Sequence, residues 1–148
     1  MIFVNRRSYP YMEEINEGIV RLLPLTSEPM RVLDVGCGRG QLGQALIERG
    51  YEVWGIESSS EALATAQKRL THVIDADCTD PQAFHKQLAG EQFDVLIFSD
   101  VLEHLYDPRT VLETYLTYLK PGGRVAISVP NAVAWSNRLL WCLGRVEY

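Results

Sequence analysis

Asp34, Glu57 and His104 are side chains whose type and setting in this 148-residue chain suit them to chemistry. Asp34 sits in an apolar run, Val32-Leu33-Asp34-Val35, just ahead of Gly36-Cys37-Gly38-Arg39-Gly40. Gly36, Gly38 and Gly40 permit backbone angles and a closeness of approach that side chains forbid. A buried strand that runs through such a turn into a helix, here starting near Gln41, aims free N–H groups into the crevice where doubly wound folds hold nucleotide-like ligands. A dinucleotide fingerprint asks for G-x-G-x-x-G, but the third position here is Gln41 and the pattern is G-x-G-x-G. A carboxylate at Asp34 also suits an ammonium group better than a phosphate. A ligand with a cationic amino-acid end therefore fits better than NAD. Glu57 stands about 20 residues beyond the turn, where an acid accepts hydrogen bonds from ribose hydroxyls. Ser58 and Glu61 form an S-x-x-E capping box for the next helix, which leaves Glu57 to the ligand.

The elements that must position these groups follow from periodicity. Ile15, Ile19, Leu22 and Leu23 continue a helical spacing that begins near Pro10 and includes Tyr11 and Met12, and Pro24 ends it. The first strand follows a loop over residues 25–30. Leu42, Ala45, Leu46 and Arg49 mark the helix after the glycine turn, closed by Gly50. Tyr51 to Ile56 is the second strand, so strand, helix and strand make one right-handed parallel crossover. Ala62, Leu63, Ala66 and Leu70 mark a helix, and His72 to Asp75 a short third strand. Asp80-Pro81 opens a helix through Phe84 and Leu88 to Gly90. Phe93 to Phe98 is an apolar run suited to a central strand buried on both faces. Asp107-Pro108 opens a helix with a stripe of Val111, Leu112, Tyr115, Leu116 and Leu119. Lys120-Pro121-Gly122-Gly123 is a tight turn before a fifth strand over Arg124 to Val129.

Length and balance predict one domain with an ordinary globular composition, 47% hydrophobic and 22% charged. A formal charge of −5 and the lack of a basic run argue against a nucleic-acid partner. The three cysteines, Cys37, Cys78 and Cys142, form no C-x-x-C pair, which suggests neither a disulfide framework nor a zinc site and points to a cytoplasmic setting. No apolar run is long enough for a signal peptide or a membrane span.

The strings V-L-D-V-G-C-G-R-G, F-D-V-L-I-F-S-D-V-L-E-H-L and L-K-P-G-G resemble the class I S-adenosylmethionine (SAM) dependent methyltransferases, and the resemblance runs from Met30 to Asn131. It implies an α/β, doubly wound, Rossmann-like and mostly parallel sheet of order 3-2-1-4-5, with the two further strands usual in that superfamily missing. It also implies SAM as cofactor and S-adenosylhomocysteine (SAH) as product. Asp34, Gly36 and Gly38 would hold the methionine end, with Cys37 and Gly40 in the same turn. Glu57 would hold the ribose, with Ser58 beside it. An acid at the end of the third strand would take the adenine amino group. Asp75 and Asp77 both qualify; Asp77 is favoured because Asp75 still lies inside the strand, and the backbone N–H of Cys78 would then face the ring. Ser99, Val101 and Leu102 would line the sulfonium side. With a hydroxyl acceptor His104 is the candidate base, although a histidine that only shapes the pocket is the plainer reading. Glu103 and His104, adjacent on a helix, point about 100° apart and make a poor metal site.

Three functional readings follow. The first is a methyltransferase acting on a small-molecule or sugar-like acceptor. The second is a noncatalytic SAM-binding or interaction module without a complete acceptor pocket. The third, an NAD-dependent oxidoreductase, is opposed by Gln41 and by the lack of a Tyr-x-x-x-Lys pair. Residues 131–148, with Trp135, Leu139, Leu140, Trp141 and Leu143, are too apolar for a free tail. They predict a helix that buries its apolar face on the sheet, on a second copy as a homodimer, or on residues absent from a C-terminally shortened domain.

Overall fold

The computed structural model describes residues 15–23 and 25–130. Five strands, β1 (Met30–Val35), β2 (Tyr51–Glu57), β3 (His72–Asp75), β4 (Phe93–Ser99) and β5 (Leu119–Ser128), form one sheet in the order β3-β2-β1-β4-β5. Every neighbouring pair is parallel. The helices are α1 (Glu17–Leu22), α2 (Gln41–Ile47), α3 (Ser60–Arg69), α4 (Pro81–Phe84) and α5 (Pro108–Leu116), with a 3-10 turn over Leu102–His104. The chain winds outward from β1 to β3, then returns to the other side of β1 with β4. The carboxyl ends of β1 and β4 therefore flank the switch point, where open α/β sheets hold ligands.

Alternation along β1 and β4 separates two apolar clusters, one on each face. Val32, Val95 and Ile97 meet Ile19 and Leu46 on one side. Leu33, Val35, Leu96 and Phe98 meet Phe84, Leu88 and Tyr115 on the other. Two-sided burial explains why β4 is an almost unbroken apolar run. The third glycine of a dinucleotide fingerprint lets helix and strand approach closely. Gly43 does so here, since a Cβ on it would lie 2.3 Å from Leu70 and 3.0 Å from Val53.

Several boundaries differ from the sequence expectations. The helix opened by Asp80-Pro81 stops at Phe84, and the chain reaches Gly90 through turns that still bury Leu88. On α5, Leu116 is exposed, while Leu119 belongs to β5 and Tyr118 fills the core. Lys120 to Gly123 forms an irregularity inside β5, whose register passes from Phe93–Leu119 to Val95–Arg124. Pro121 has no N–H for the ladder, and Lys120 turns its ammonium onto Asp94 at 2.9 Å. The described part of the first helix starts only at Glu17, capped by the Asn16 side chain, which accepts from the Ile19 N–H at 3.2 Å. The earlier part of that expected helix lies outside the described residues, as does the apolar segment 131–148 with the dimer contact expected of it. Among the described residues no helix is long and apolar enough to cross a membrane.

Candidate active site

A cleft of about 810 Å³ opens at the carboxyl ends of β1, β2 and β4. Its floor is the glycine turn, which is fastened to β2 by backbone bonds. The N–H groups of Gly36 and Cys37 both donate to the Ile56 carbonyl, at 2.8 and 3.0 Å. At Gly36 the backbone has φ +73°, and a Cβ would fall 2.7 Å from a Val101 methyl. Only glycine lets the turn pass this close to the loop after β4.

Two buried carboxylates stand in this cleft under different conditions. Both oxygens of Glu57 accept from backbone: one from the Gly38 N–H at 3.0 Å, the other from the Ser58 and Ser59 N–H groups at 2.9 and 2.7 Å. The expected Ser58–Glu61 capping box does not form. Ser59 is the N-cap of α3 without a side-chain bond, and Glu61 instead pairs with Arg39 of the glycine turn. Glu57 itself supplies the acceptor at that helix start, where the orphan N–H groups need one. Asp34 is 1% exposed, and no hydrogen-bond donor among the described residues reaches its carboxyl. Burial, and secondarily the charge of Glu57, pushes its pKa up to about 7.

Of the other residues singled out from sequence, Cys37, Gly38, Cys78, Ser99, Val101 and His104 line the cleft with Asp34, Gly36 and Glu57. Gly40, Ser58, Asp77 and Leu102 do not. Gly40 is the left-handed N-cap of α2 packed against Ala66 and Leu70. Ser58 contributes its N–H to Glu57. Leu102 packs into the apolar cluster around Phe98. Asp77 is exposed and turns its carboxylate onto Thr79, accepting from the backbone N–H at 2.8 Å and the hydroxyl at 2.7 Å. Its turn nonetheless sets Cys78 at the cleft wall. Burial pushes the Cys78 thiol up to about 11 and the Cys37 thiol higher still, so both stay protonated at neutral pH and neither is a nucleophile. His104 stands at the mouth with its side chain 58% exposed, its Nε2 3.9 Å from a Glu103 oxygen.

A polar cluster at the ends of β4 and β5 was not anticipated. Asn16 Nδ2 donates to the Ser128 hydroxyl at 2.9 Å and to the Ser99 hydroxyl at 3.2 Å. The Ser128 hydroxyl donates to Asp100 at 3.1 Å. Asp100 is also the one described residue other than glycine with positive φ, +53°, a conformation that side chains other than Asn and Asp adopt reluctantly. This cluster draws the start of α1 over the cleft, and Ile15 and Asn16 become part of its wall.

A profile described as a methyltransferase domain matches residues 5–148. The chain belongs to the methyltransferase domain family. Among curated relatives, a ubiquinone biosynthesis O-methyltransferase of Aeromonas salmonicida is 37% identical over 103 residues, 68% of this chain and 43% of the relative. One of Albidiferax ferrireducens is 37% identical over 121 residues, 78% of this chain and 46% of the relative. The chain thus spans less than half the length of these relatives. A solved SAM-dependent methyltransferase of Archaeoglobus fulgidus shares the fold with a TM-score of 0.68 at 23% identity, over 89% of this chain and 59% of that one. The plantazolicin methyltransferase BpumL, solved with SAH, gives 0.64 at 23% identity, over 88% and 49%. In this methyltransferase domain the glycine turn and the two carboxylates lie at the carboxyl ends of β1 and β2, beside the switch point of the sheet.

Proposed function

We propose that this domain binds SAM and transfers its methyl group to a hydroxyl of a small-molecule acceptor. The observation that carries the reading is Asp34, a buried carboxylate in β1 just ahead of the glycine turn that no donor among the described residues reaches. An ammonium group placed there would remove the cost of leaving that charge unpaired. The turn itself is a cradle that a Cβ at Gly36 would fill. Both features fit the amino-acid end of SAM, whereas a pyrophosphate would meet two negative side chains, Asp34 and Glu57.

When bound, SAM supplies an electrophilic methyl group on a sulfonium, displaced in line. The protein's part is then to position the acceptor and to exclude water. Asp34 and the Gly36–Gly38 backbone hold the amino-acid end. Glu57 offers its remaining lone pairs to the ribose while its backbone bonds fix its orientation. Cys78 bounds the adenine side, and Ser99 and Val101 bound the sulfonium side. Asp100, Glu103 and His104 line the cleft where the acceptor would enter, and the His104 imidazole is the group there that could accept a hydroxyl proton. The hydroxyl acceptor is supported by the relatives, which are named for ubiquinone biosynthesis and O-methylation.

Calorimetric titration with SAM, SAH and NAD tests the cofactor, followed by transfer of labelled methyl from SAM to simple catechols. Binding of SAM and SAH but not NAD, with label reaching the catechol oxygen, is expected. Binding without transfer to any acceptor would favour a noncatalytic SAM-binding module, and binding of NAD alone would overturn the reading.

A further inference from the structure

We propose that the domain has a second small-molecule site, at the amino ends of its strands, which takes a compact apolar molecule bearing one carboxylate. The site is a cavity of about 360 Å³, within the size range of small-molecule pockets. It lies where β1, β2, β4 and β5 begin, at the opposite end of the sheet from the cleft described above. Leu23 from the end of α1, Leu25 from the following loop, Met30 and Val95 supply its apolar walls. Leu25 is 76% exposed, so an apolar body seated here would cover surface that water now wets. The walls are already in place. The Thr26 N–H donates to the Arg49 carbonyl at 3.2 Å, and the Thr26 hydroxyl donates to the Glu28 carbonyl at 2.6 Å. The Arg49 guanidinium in turn donates to the Val20 and Leu23 carbonyls at 3.1 and 3.2 Å. The loop and the end of α1 are thereby tied to the residues just ahead of β2.

The charge of the ligand follows from the ionic side chains that line the cavity, Asp94, Lys120 and Arg124. Both Asp94 oxygens accept from Lys120 Nζ, at 3.0 and 2.9 Å, and one also accepts from the Arg31 N–H at 2.8 Å. The charges of that pair cancel. Arg124 is exposed, and no carboxylate among the described residues pairs with it. Burial raises the Tyr51 phenol on the cavity wall, and the Arg124 and Arg49 guanidiniums act on it in the opposite direction, which sets Arg124 near that wall. The lining therefore carries one positive charge in excess. A guanidinium matches a carboxylate through two parallel hydrogen bonds, whereas a second acid on the ligand would meet Asp94.

The test is an NMR titration of the full chain with benzoate, benzamide and acetate, repeated with SAH present in excess. Benzoate is expected to move the Met30 methyl and Leu25 amide resonances saturably, with or without SAH. Benzamide keeps the ring without the charge, and acetate keeps the charge without the ring. Each should bind about ten-fold more weakly than benzoate. Arg124→Gln, at an exposed position, should bring benzoate down to the level of benzamide and leave benzamide unchanged. Silence at Met30 and Leu25, or a benzoate affinity equalled by either other probe, would overturn the proposal on the unsubstituted chain alone. An Arg124→Gln variant that holds benzoate as well as the parent would overturn it too. So would loss of the benzoate shifts on adding SAH, which would mean that the probe had entered the cleft at the other end of the sheet.

Discussion

Replacing Asp34 by Asn should make the free protein more stable at alkaline pH and the ligand-binding site worse. The carboxyl has an ordinary pKa of 3.8 in the unfolded chain and about 7 in the folded one, raised first by burial and then by Glu57. A raised folded value means that the native state holds its proton more tightly than the unfolded state. The associated stability is complete below the ordinary value and is lost as pH rises through about 7, a loss on the order of 4 kcal/mol once the group is fully ionised. Asparagine cannot ionise, so Asp34→Asn escapes that loss. Urea unfolding should therefore show the variant more stable than the parent at about pH 8, with the gap narrowing as pH falls and closing only below about pH 4.

Binding should show the opposite sign. If the ligand's ammonium pairs with ionised Asp34, SAH affinity of the parent rises with pH. It gains about ten-fold between about pH 6 and pH 8, since protonation competes with the ligand below the raised pKa. Saturating SAH should then restore the stability lost at alkaline pH. In Asp34→Asn the affinity should be weaker and flat over the same range, read by calorimetry in buffers of matched ionic strength. A parent whose SAH affinity ignores pH, or a variant that is less stable than the parent at about pH 8, would refute the reasoning.

Glu57→Ala should weaken SAH binding by about 1.5–3 kcal/mol, as charge-assisted hydrogen bonds to ribose are lost. It should also lower the thermal midpoint, because the Gly38, Ser58 and Ser59 N–H groups lose their acceptor; an unchanged dissociation constant would place the ribose elsewhere. Gly36→Ala should cost about 1–3 kcal/mol of stability from its positive φ and its clash with Val101. Adding Val101→Ala should recover the steric part in a double-mutant cycle and none of the backbone part. Asn16→Ala removes both the cap of α1 and its ties to Ser99 and Ser128. It should cost about 1–2 kcal/mol and speed hydrogen exchange at Ile19 and Val20 selectively; protection unchanged there would mean that α1 is held by its apolar face alone.

The sheet order and the glycine turn were legible because both are written locally: apolar runs of strand length, and glycines at a spacing with one common use. Asp34 was legible for the same reason, since its place beside the turn follows from chain neighbours. The setting of Glu57 was half legible. Its position at the end of β2 was clear, but S-x-x-E after it mimicked a capping box, and nothing local shows that Glu61 is drawn away by Arg39, 22 positions earlier. The Asn16–Ser99–Ser128 cluster was out of reach because its members lie 83 and 112 positions apart, joined only when the sheet closes. The end of α4 was misplaced because Leu88 keeps helical spacing from Phe84 while burying itself from a turn. Apolar periodicity reports which side of the chain is covered, and a turn can satisfy it as well as a helix.

The unlike treatment of the two carboxylates explains how one site can be both built and waiting. Glu57 is solvated by the protein: N–H groups from the glycine turn and from the start of α3 converge on it, so its charge helps assemble the crevice before any ligand arrives. Among the described residues no such donor reaches Asp34, which carries the repulsion of Glu57 as well. Supplying it with a permanent partner would stabilise the free fold, but it would also fill the place of the ligand's ammonium and remove the gain on binding. On the proposed reading, the free-energy cost borne at Asp34 is the part of the fold that the ligand's ammonium would relieve. The order of the chain makes this arrangement economical, because both acids end neighbouring parallel strands and the turn between β1 and α2 passes over both. A ligand that is cationic at one end and carries a ribose diol at the other meets Asp34 and Glu57 together. On the proposed reading, a ligand with only one of these features would leave either the buried charge or the ribose acceptor unsatisfied, and the expected outcome is tighter binding of SAH than of methionine or adenosine alone, read by calorimetry.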